Sequence, residues 1–419
     1  MLSASDAGRR AQELARQRHK KPVDMNTLLA HSGIVSDGHN DPLAPPMHMS
    51  TTFTRPADGI FSESDAIYSR MHNHTRLLLE REVGRLECYG REHDEVICCA
   101  FASGMMAASG IILAHDARSS LRVLLPRDCY HGVSSVCYDV FTRFGVVVER
   151  VDMRDTAALE ATLKQSDTDT IVWIETPSNP MCDVLDIQST CDLVRKDSSA
   201  PVTIVVDSTL APPTIQQPLL LGADLVLHSA TKYMGGHSDA LAGVVTASPW
   251  TERGKTIGPV LRRTQVAVGG VASTLDSWLV LRGLRSLNVR VRQQCATALH
   301  LAKHLENHPL VKELHYPGLE TAVKSHSTAK KQMRHFGGVL SVEFRSEAEA
   351  MAFAGALQVI HRATSLGGTE TLIEHRASIE PEGHVSSPPG LLRISVGLEE
   401  VADLVEDVDH ALEIVPMVC

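Results

Sequence analysis

Short β-rich runs punctuate the middle of the chain, at 122–125, 145–151, 170–175, 202–206 and 224–228. Between most of them apolar residues recur at helical spacing, as at 157–164 and 187–196. Strand–helix alternation of this kind predicts a mostly parallel sheet covered by helices on both faces, with ligands at the strand ends. A further helix is expected from Thr75, where Leu77, Leu78, Leu79, Val83 and Leu86 recur near the helical period. Before it, to about residue 67, Pro42, Pro45, Pro46 and Pro56 separate extended residues, the pattern of an arm lying on something else. From about Leu275 the character changes: 278–306 reads as a long helical stretch, and 339–415 as a β-rich section with helices, including strands at 338–343 and 392–396. The expected organisation is an N-terminal extension and arm (1–70), a large α/β domain (71–278) and a smaller C-terminal α+β domain (279–419).

Composition narrows the function classes. A net charge of −10 and 4% aromatic residues offer nucleic acid neither an electrostatic footprint nor a stacking surface. No apolar run approaches a bilayer span, and the longest, around 218–228, is interrupted by Gly222 and Asp224. The nine cysteines are odd in number and contain no CxxC pair, so they read as reduced thiols, with Cys98 and Cys99 in the core. His72 and His74 lack a second ligand pair at matching spacing, and no metal is expected. Residues 1–24 are basic but have no apolar stretch of a secretory signal. They read as a solvated extension of a cytoplasmic protein; Asp6 and Glu13 weaken the mitochondrial alternative that the basic run 9–21 suggests.

Three segments carry candidate chemistry. The first, His228-Ser229-Ala230-Thr231-Lys232-Tyr233-Met234-Gly235-Gly236-His237, follows a predicted buried strand. A lysine there stands in a cleft, where desolvation lowers its pKa and makes its amine nucleophilic. Ser229 and Thr231 suit an anionic phosphate. The same residues also fit a surface lysine in a glycine-rich turn. The second is Val205-Val206-Asp207-Ser208-Thr209. A carboxylate at the end of an apolar strand needs a partner; a protonated pyridine nitrogen is one, and the cap of a following helix is the other use of such a residue. The third, Ala102-Ser103-Gly104-Met105-Met106-Ala107, is a small-residue turn opening a helix, either an anion site or simply a cap.

Together these segments resemble the Cys/Met-metabolism (transsulfuration) family of fold-type I pyridoxal-5′-phosphate (PLP) enzymes. The resemblance runs from about Asn26 to Leu412. It is carried by Tyr68-Ser69-Arg70, Asp128-Cys129-Tyr130, Glu175-Thr176-Pro177-Ser178-Asn179-Pro180, Gly222-Ala223-Asp224, Leu281-Arg282-Gly283-Leu284, Tyr316-Pro317-Gly318-Leu319, Phe336-Gly337-Gly338, Ser365-Leu366-Gly367-Gly368 and Leu392-Arg393-Ile394-Ser395-Val396-Gly397, besides the three segments above. It implies an α/β fold of the PLP-dependent transferase type, with a mostly parallel seven-stranded sheet. It implies that Lys232 holds the cofactor as a Schiff base and moves protons, that Asp207 pairs with the pyridine nitrogen, and that Tyr130 stacks on the ring and assists deprotonation. Gly104, Met105, Ser229 and Thr231 would hold the phosphate, and Thr209 joins the cofactor-binding set. Tyr68 and Arg70 would reach the phosphate of a neighbouring subunit, in a homotetramer built from dimers with shared active sites. Arg393 would take the substrate α-carboxylate through its planar fork, Asn179 and Ser365 would orient cofactor and substrate, and Glu370 would meet a distal ammonium.

The activity so implied is the making or breaking of a carbon–sulfur bond at the γ-carbon of a sulfur amino acid, as cystathionine γ-synthase or γ-lyase. The alternatives are a cystathionine β-lyase, or a catalytically idle PLP-binding paralogue with a structural or regulatory role. Several positions depart from the family pattern. His131-Gly132-Val133 stands for Gly-Gly-Thr or Gly-Cys-Thr, which argues against a methionine γ-lyase. Ser208 replaces the frequent Asn, and Asn73-His74-Thr75 replaces Asn-Pro-Thr. His375-Arg376-Ala377 replaces His-Pro-Ala, and Ile379-Glu380-Pro381 a Met-Thr-His segment. These departures bear on the substrate, not the cofactor.

Overall fold

The computed structural model describes residues 23–34, 42–60, 66–91, 93, 95–115, 120–165, 167–198, 200–380 and 387–418. Most of the basic extension and Pro381 lie outside the described residues. The alternating runs form a seven-stranded sheet: β1 (Ile97–Phe101), β2 (Leu121–Pro126), β3 (Val147–Val151), β4 (Asp169–Glu175), β5 (Val202–Asp207), β6 (Leu225–Ser229) and β7 (Gly243–Ala247), in the order β1-β7-β6-β5-β4-β2-β3. Only β7 runs against its neighbours. Strands buried on both faces need apolar residues in succession, and β4 supplies them. Ile171 and Trp173 pack with Ala107, Ile111 and Leu261 on one face. Val172 and Ile174 pack with Leu163, Ile187, Cys191 and Val194 on the other.

A second sheet, of five strands, follows: β8 (Val311–His315), β9 (Val339–Phe344), β10 (His361–Arg362), β11 (Leu372–His375) and β12 (Leu391–Ser395), in the order β10-β11-β12-β9-β8. Its core joins Leu340, Val342 and Ile394 to Leu301 and Leu305 of helix Leu287–Leu305 and to Leu404 and Val408 of helix Val401–Val418.

The structure departs from the sequence expectations at three places. The stretch 278–306 is two helices, Thr274–Leu284 and Leu287–Leu305. The Gly283 carbonyl, in the last turn of the first, is taken by Arg290 Nη2 at 2.9 Å, and Arg290 also donates to Tyr233 O at 2.9 Å, so the chain breaks to serve the lysine loop. The beginning of the arm is held by its own chain. Trp278 Nε1 donates to Pro45 O at 2.8 Å and Thr75 Oγ1 to Pro46 O at 3.0 Å, whereas Met49 and Ile60 stay exposed. Finally, β1, β7 and β8 fall outside the strands expected from the sequence; Cys98 and Cys99 are core residues as expected, but on a strand.

Candidate active site

β4, β5 and β6 end side by side and open onto a cavity of about 440 Å³. Glu175 closes β4, Asp207 closes β5 in register with it, and Lys232 lies three residues beyond β6. The cavity is lined by Gly104, Met105, Tyr130, Asn179, Asp207, Thr209, Ser229, Thr231, Lys232, Ser365 and Arg393, so eleven of the fourteen predicted site residues share one space. Tyr68, Arg70 and Glu370 lie outside that lining. Arg70 Nη1 donates to Val266 O at 2.7 Å, with its guanidinium 5.9 Å from the exposed Tyr68 ring. Glu370 accepts from Ser238 and from Thr369 Oγ1.

Lys232 Nζ donates to Ser365 Oγ at 2.7 Å. Burial, and after it the charge of Arg393, lower its pKa to about 8, with Glu374 opposing. Ser365 has a φ of +91°, a left-handed backbone that a residue with a Cβ adopts at a cost of about 1–3 kcal/mol. That conformation lets one residue serve two cations: its hydroxyl meets Lys232 and its carbonyl accepts from Arg393 Nη2 at 2.9 Å. Arg393, on β12, also donates from Nη1 to Asn179 Oδ1 at 3.1 Å and pairs with Glu374 Oε2 at 2.8 Å. The seven-stranded sheet thus supplies the amine, and the five-stranded sheet supplies the guanidinium beside it.

Asp207 Oδ1 accepts from the Thr209 backbone at 3.0 Å and from its hydroxyl at 2.6 Å; the same hydroxyl accepts from Ser229 N at 2.9 Å. This local turn replaces the helix cap that Asp207 could have formed, since no α-helix begins there. Burial pushes the Asp207 carboxyl above its ordinary range. Across the cavity, Ser103 caps helix Gly104–Leu113 by accepting from Met106 N at 3.0 Å. A Cβ on Gly104 would come within 2.9 Å of Ser229 Cβ, so the helix N-terminus and the end of β6 meet in a cradle only glycine permits.

Two residues matter here that the sequence reading gave no role. Glu175 accepts from Tyr130 N at 2.7 Å and Asn179 N at 2.9 Å, fixing both backbones at the cavity wall. Burial, then Asp207, push its carboxyl well above the usual range. The argument applied to Asp207, a carboxylate at the end of an apolar strand, applies equally to Glu175 and could have found it. Glu374 bridges Arg393 and Arg376, with both nitrogens 2.8 Å from Oε2; its role follows from the pairing of β11 with β12, which no local pattern announces.

With this geometry in hand, comparison with known proteins is decisive. The Cys/Met metabolism PLP-dependent enzyme family matches residues 26–413. The chain belongs to this family. It is 37% identical to the cystathionine gamma-lyase of Bacillus subtilis (strain 168), covering 92% of this chain and 98% of that one. It is 35% identical to a cystathionine beta-lyase of Lactococcus lactis subsp. cremoris (strain MG1363), covering 93% and 99%. A crystal structure of cystathionine gamma synthase from Xanthomonas oryzae pv. oryzae matches with a TM-score of 0.85 and 31% identity, covering 95% of this chain and 100% of that one. The chain is therefore a PLP-dependent enzyme with the α/β fold of the transsulfuration proteins. The cavity fits the cofactor: a cradle of small residues at a helix N-terminus suits a phosphate, the buried Asp207, whose carboxyl accepts only from Thr209 among the hydrogen bonds of the described residues, suits a protonated ring nitrogen, and Lys232 carries an amine whose pKa burial lowers to about 8. Among the described residues, no helix is long and apolar enough to cross a membrane.

Proposed function

We propose that this enzyme makes or breaks a carbon–sulfur bond at the γ-carbon of a sulfur amino acid, acting as a cystathionine γ-synthase or γ-lyase. The observation that carries the reading is the Lys232–Ser365–Arg393 chain: a nucleophilic amine and a carboxylate-binding guanidinium share one serine, within 2.7 and 2.9 Å of its two oxygens. An amino acid whose carboxylate meets Arg393 presents its Cα to Lys232. Bound in the cradle, PLP supplies an electron sink for the charge that forms when the Cα proton leaves. Lys232, once free, takes that proton. Tyr130 covers one face of the site. Asp207, held by Thr209, would keep the ring nitrogen protonated; Ser229, Thr231, Gly104 and Met105 would hold the phosphate end; Asn179 holds Arg393. Tyr68 and Arg70, outside their own cavity, complete the site of a neighbouring copy, which makes a homo-oligomer the working form.

Gly132 favours this reading over a methionine γ-lyase. A Cβ there would lie 2.6 Å from Tyr130 Cε1 and 3.0 Å from Met105 Sδ, so a cysteine has no room without moving the ring. The intact set Lys232, Asp207, Tyr130 and Arg393 speaks against an idle paralogue. The test is a product assay with cystathionine, and separately with an activated homoserine ester plus cysteine. Cysteine with 2-oxobutanoate indicates the γ-lyase, and net cystathionine synthesis the γ-synthase. Homocysteine with pyruvate would replace the proposal by β-lyase chemistry, and absence of any turnover would sink it.

A further inference from the structure

Two departures from the family pattern meet in space. The pattern has a proline where this chain has Arg376 and a threonine where it has Glu380, and neither pattern residue is charged. Here the two side chains lie one turn apart, 2% and 3% exposed, with Arg376 Nη2 3.6 Å from Glu380 Oε1. Glu380 also accepts from Ser387 N at 3.1 Å and from the Ser387 hydroxyl. A lone buried charge is costly, whereas a buried pair with its oxygens hydrogen-bonded is tolerated, so each departure compensates the other. The pair reaches the site through Glu374. One oxygen, Oε2, lies 2.8 Å from both Arg376 Nη1 and Arg393 Nη2. It therefore divides its charge between two guanidiniums instead of closing on Arg393 alone. The pair is also oriented: Arg376 lines the cavity and Glu380 does not, so the positive end faces the space beside Arg393.

We propose that Arg376, balanced from behind by Glu380, is a positioning residue that shares Glu374 with Arg393 and so keeps the Arg393 guanidinium open to the substrate α-carboxylate. The inference rests on reading Arg393 as the α-carboxylate site, and adds what sets the strength of that contact. With uncharged residues at 376 and 380, Glu374 closes on Arg393 and screens it from the incoming carboxylate. With the pair present, Glu374 is held from two sides, and the nearby charge of Arg376 adds to the attraction, an effect that a water-poor pocket strengthens. The net charge is the same in both cases, because Arg376 and Glu380 cancel; its distribution is not.

The test titrates the holoenzyme with L-norleucine and with n-pentylamine, the same molecule without its carboxylate, following the absorbance of the bound cofactor. The preference for norleucine, taken as the ratio of the two dissociation constants, measures the contribution of the α-carboxylate. In Arg376→Met/Glu380→Gln, which removes both charges and keeps much of the shape, that preference falls on the order of three- to tenfold, part of one charge-assisted hydrogen bond, with pentylamine affinity unchanged. Glu380→Gln alone leaves Arg376 wholly to Glu374 and raises the preference. A preference that neither change moves overturns the proposal, and so does equal weakening of both ligands, the mark of a merely structural pair. Should the double variant fail to fold, the single change decides: an unchanged or lower preference in Glu380→Gln overturns the proposal. A wild type that binds both ligands alike removes Arg393 as the carboxylate site and overturns that reading together with this one, whereas a wild-type preference that survives in every variant sinks this one alone.

Discussion

The two ends of the cavity are built differently. At the cofactor end, Gly104, Asp207, Ser229 and Lys232 come from strand ends and one helix N-terminus of the seven-stranded sheet, and each matches the family pattern. At the far end, Glu374 and Arg376 come from β11 of the five-stranded sheet and the turn after it; with His131, which opens the short helix His131–Ser135, they form the wall where the chain leaves that pattern. The contrast separates two questions. The cofactor end accounts for the cofactor that the family shares. The far end is built from buried ion pairs, with Glu374 lying 2.8 Å from both Arg376 and Arg393.

The largest effect belongs to the cofactor end. Lys232→Ala removes both the covalent hold and the proton carrier, so borohydride no longer fixes the cofactor to the chain and turnover falls on the order of a thousandfold or more. A Lys232→Ala protein that still gives a borohydride-stable adduct would break the comparison, since nothing else at that end offers an amine. The same variant sharpens the oligomer reading. Mixed with inactive Arg70→Ala protein under subunit exchange, it regains part of the activity if sites are shared, and none if each chain serves itself.

A smaller effect is expected on the border between the two ends. In Gly132→Ala the new methyl must displace the Tyr130 ring or Met105, because the contacts would be 2.6 and 3.0 Å. Gly104, Ser229 and Lys232 are untouched. Cofactor content stays full, and kcat falls by roughly ten- to a hundredfold, the penalty for misplacing a group by about an ångström. Equal loss of cofactor and kcat would show that Tyr130 belongs to the cofactor end alone.

Lys232 and Asp207 could be read from the chain because both follow from one-dimensional features: an apolar run, its end, and a charged residue placed there. Their surroundings could not. The left-handed φ of Ser365 exists because its two oxygens are claimed by groups 133 and 28 residues away. The helix break at Arg285-Ser286 exists because Arg290 reaches the lysine loop. Tyr130 owes its place to Glu175, 45 residues on, through a backbone N–H that no side-chain pattern reveals. The sheet and its strand-end chemistry were thus legible, and the long-range bonds that orient that chemistry were not.

The smallest predicted effect joins the two ends. The amine of Lys232 belongs to the seven-stranded sheet, yet part of its lowered pKa comes from Arg393 on β12. Only the neutral amine attacks an aldehyde. Below its pKa the neutral fraction falls tenfold per pH unit, and above it the fraction levels off. The rate at which cofactor-free enzyme captures PLP should therefore climb with pH and flatten near about 8, where an ordinary lysine would keep climbing to 10.5. Arg393→Gln removes one cause of the shift and leaves burial, the larger one, so its plateau moves only slightly upward. Stopped-flow absorbance across pH 6–10.5 measures both. A wild-type plateau near 10.5 would show an amine exposed to water, and an unmoved plateau in Arg393→Gln would show that the two sheets hold the site together without sharing its electrostatics.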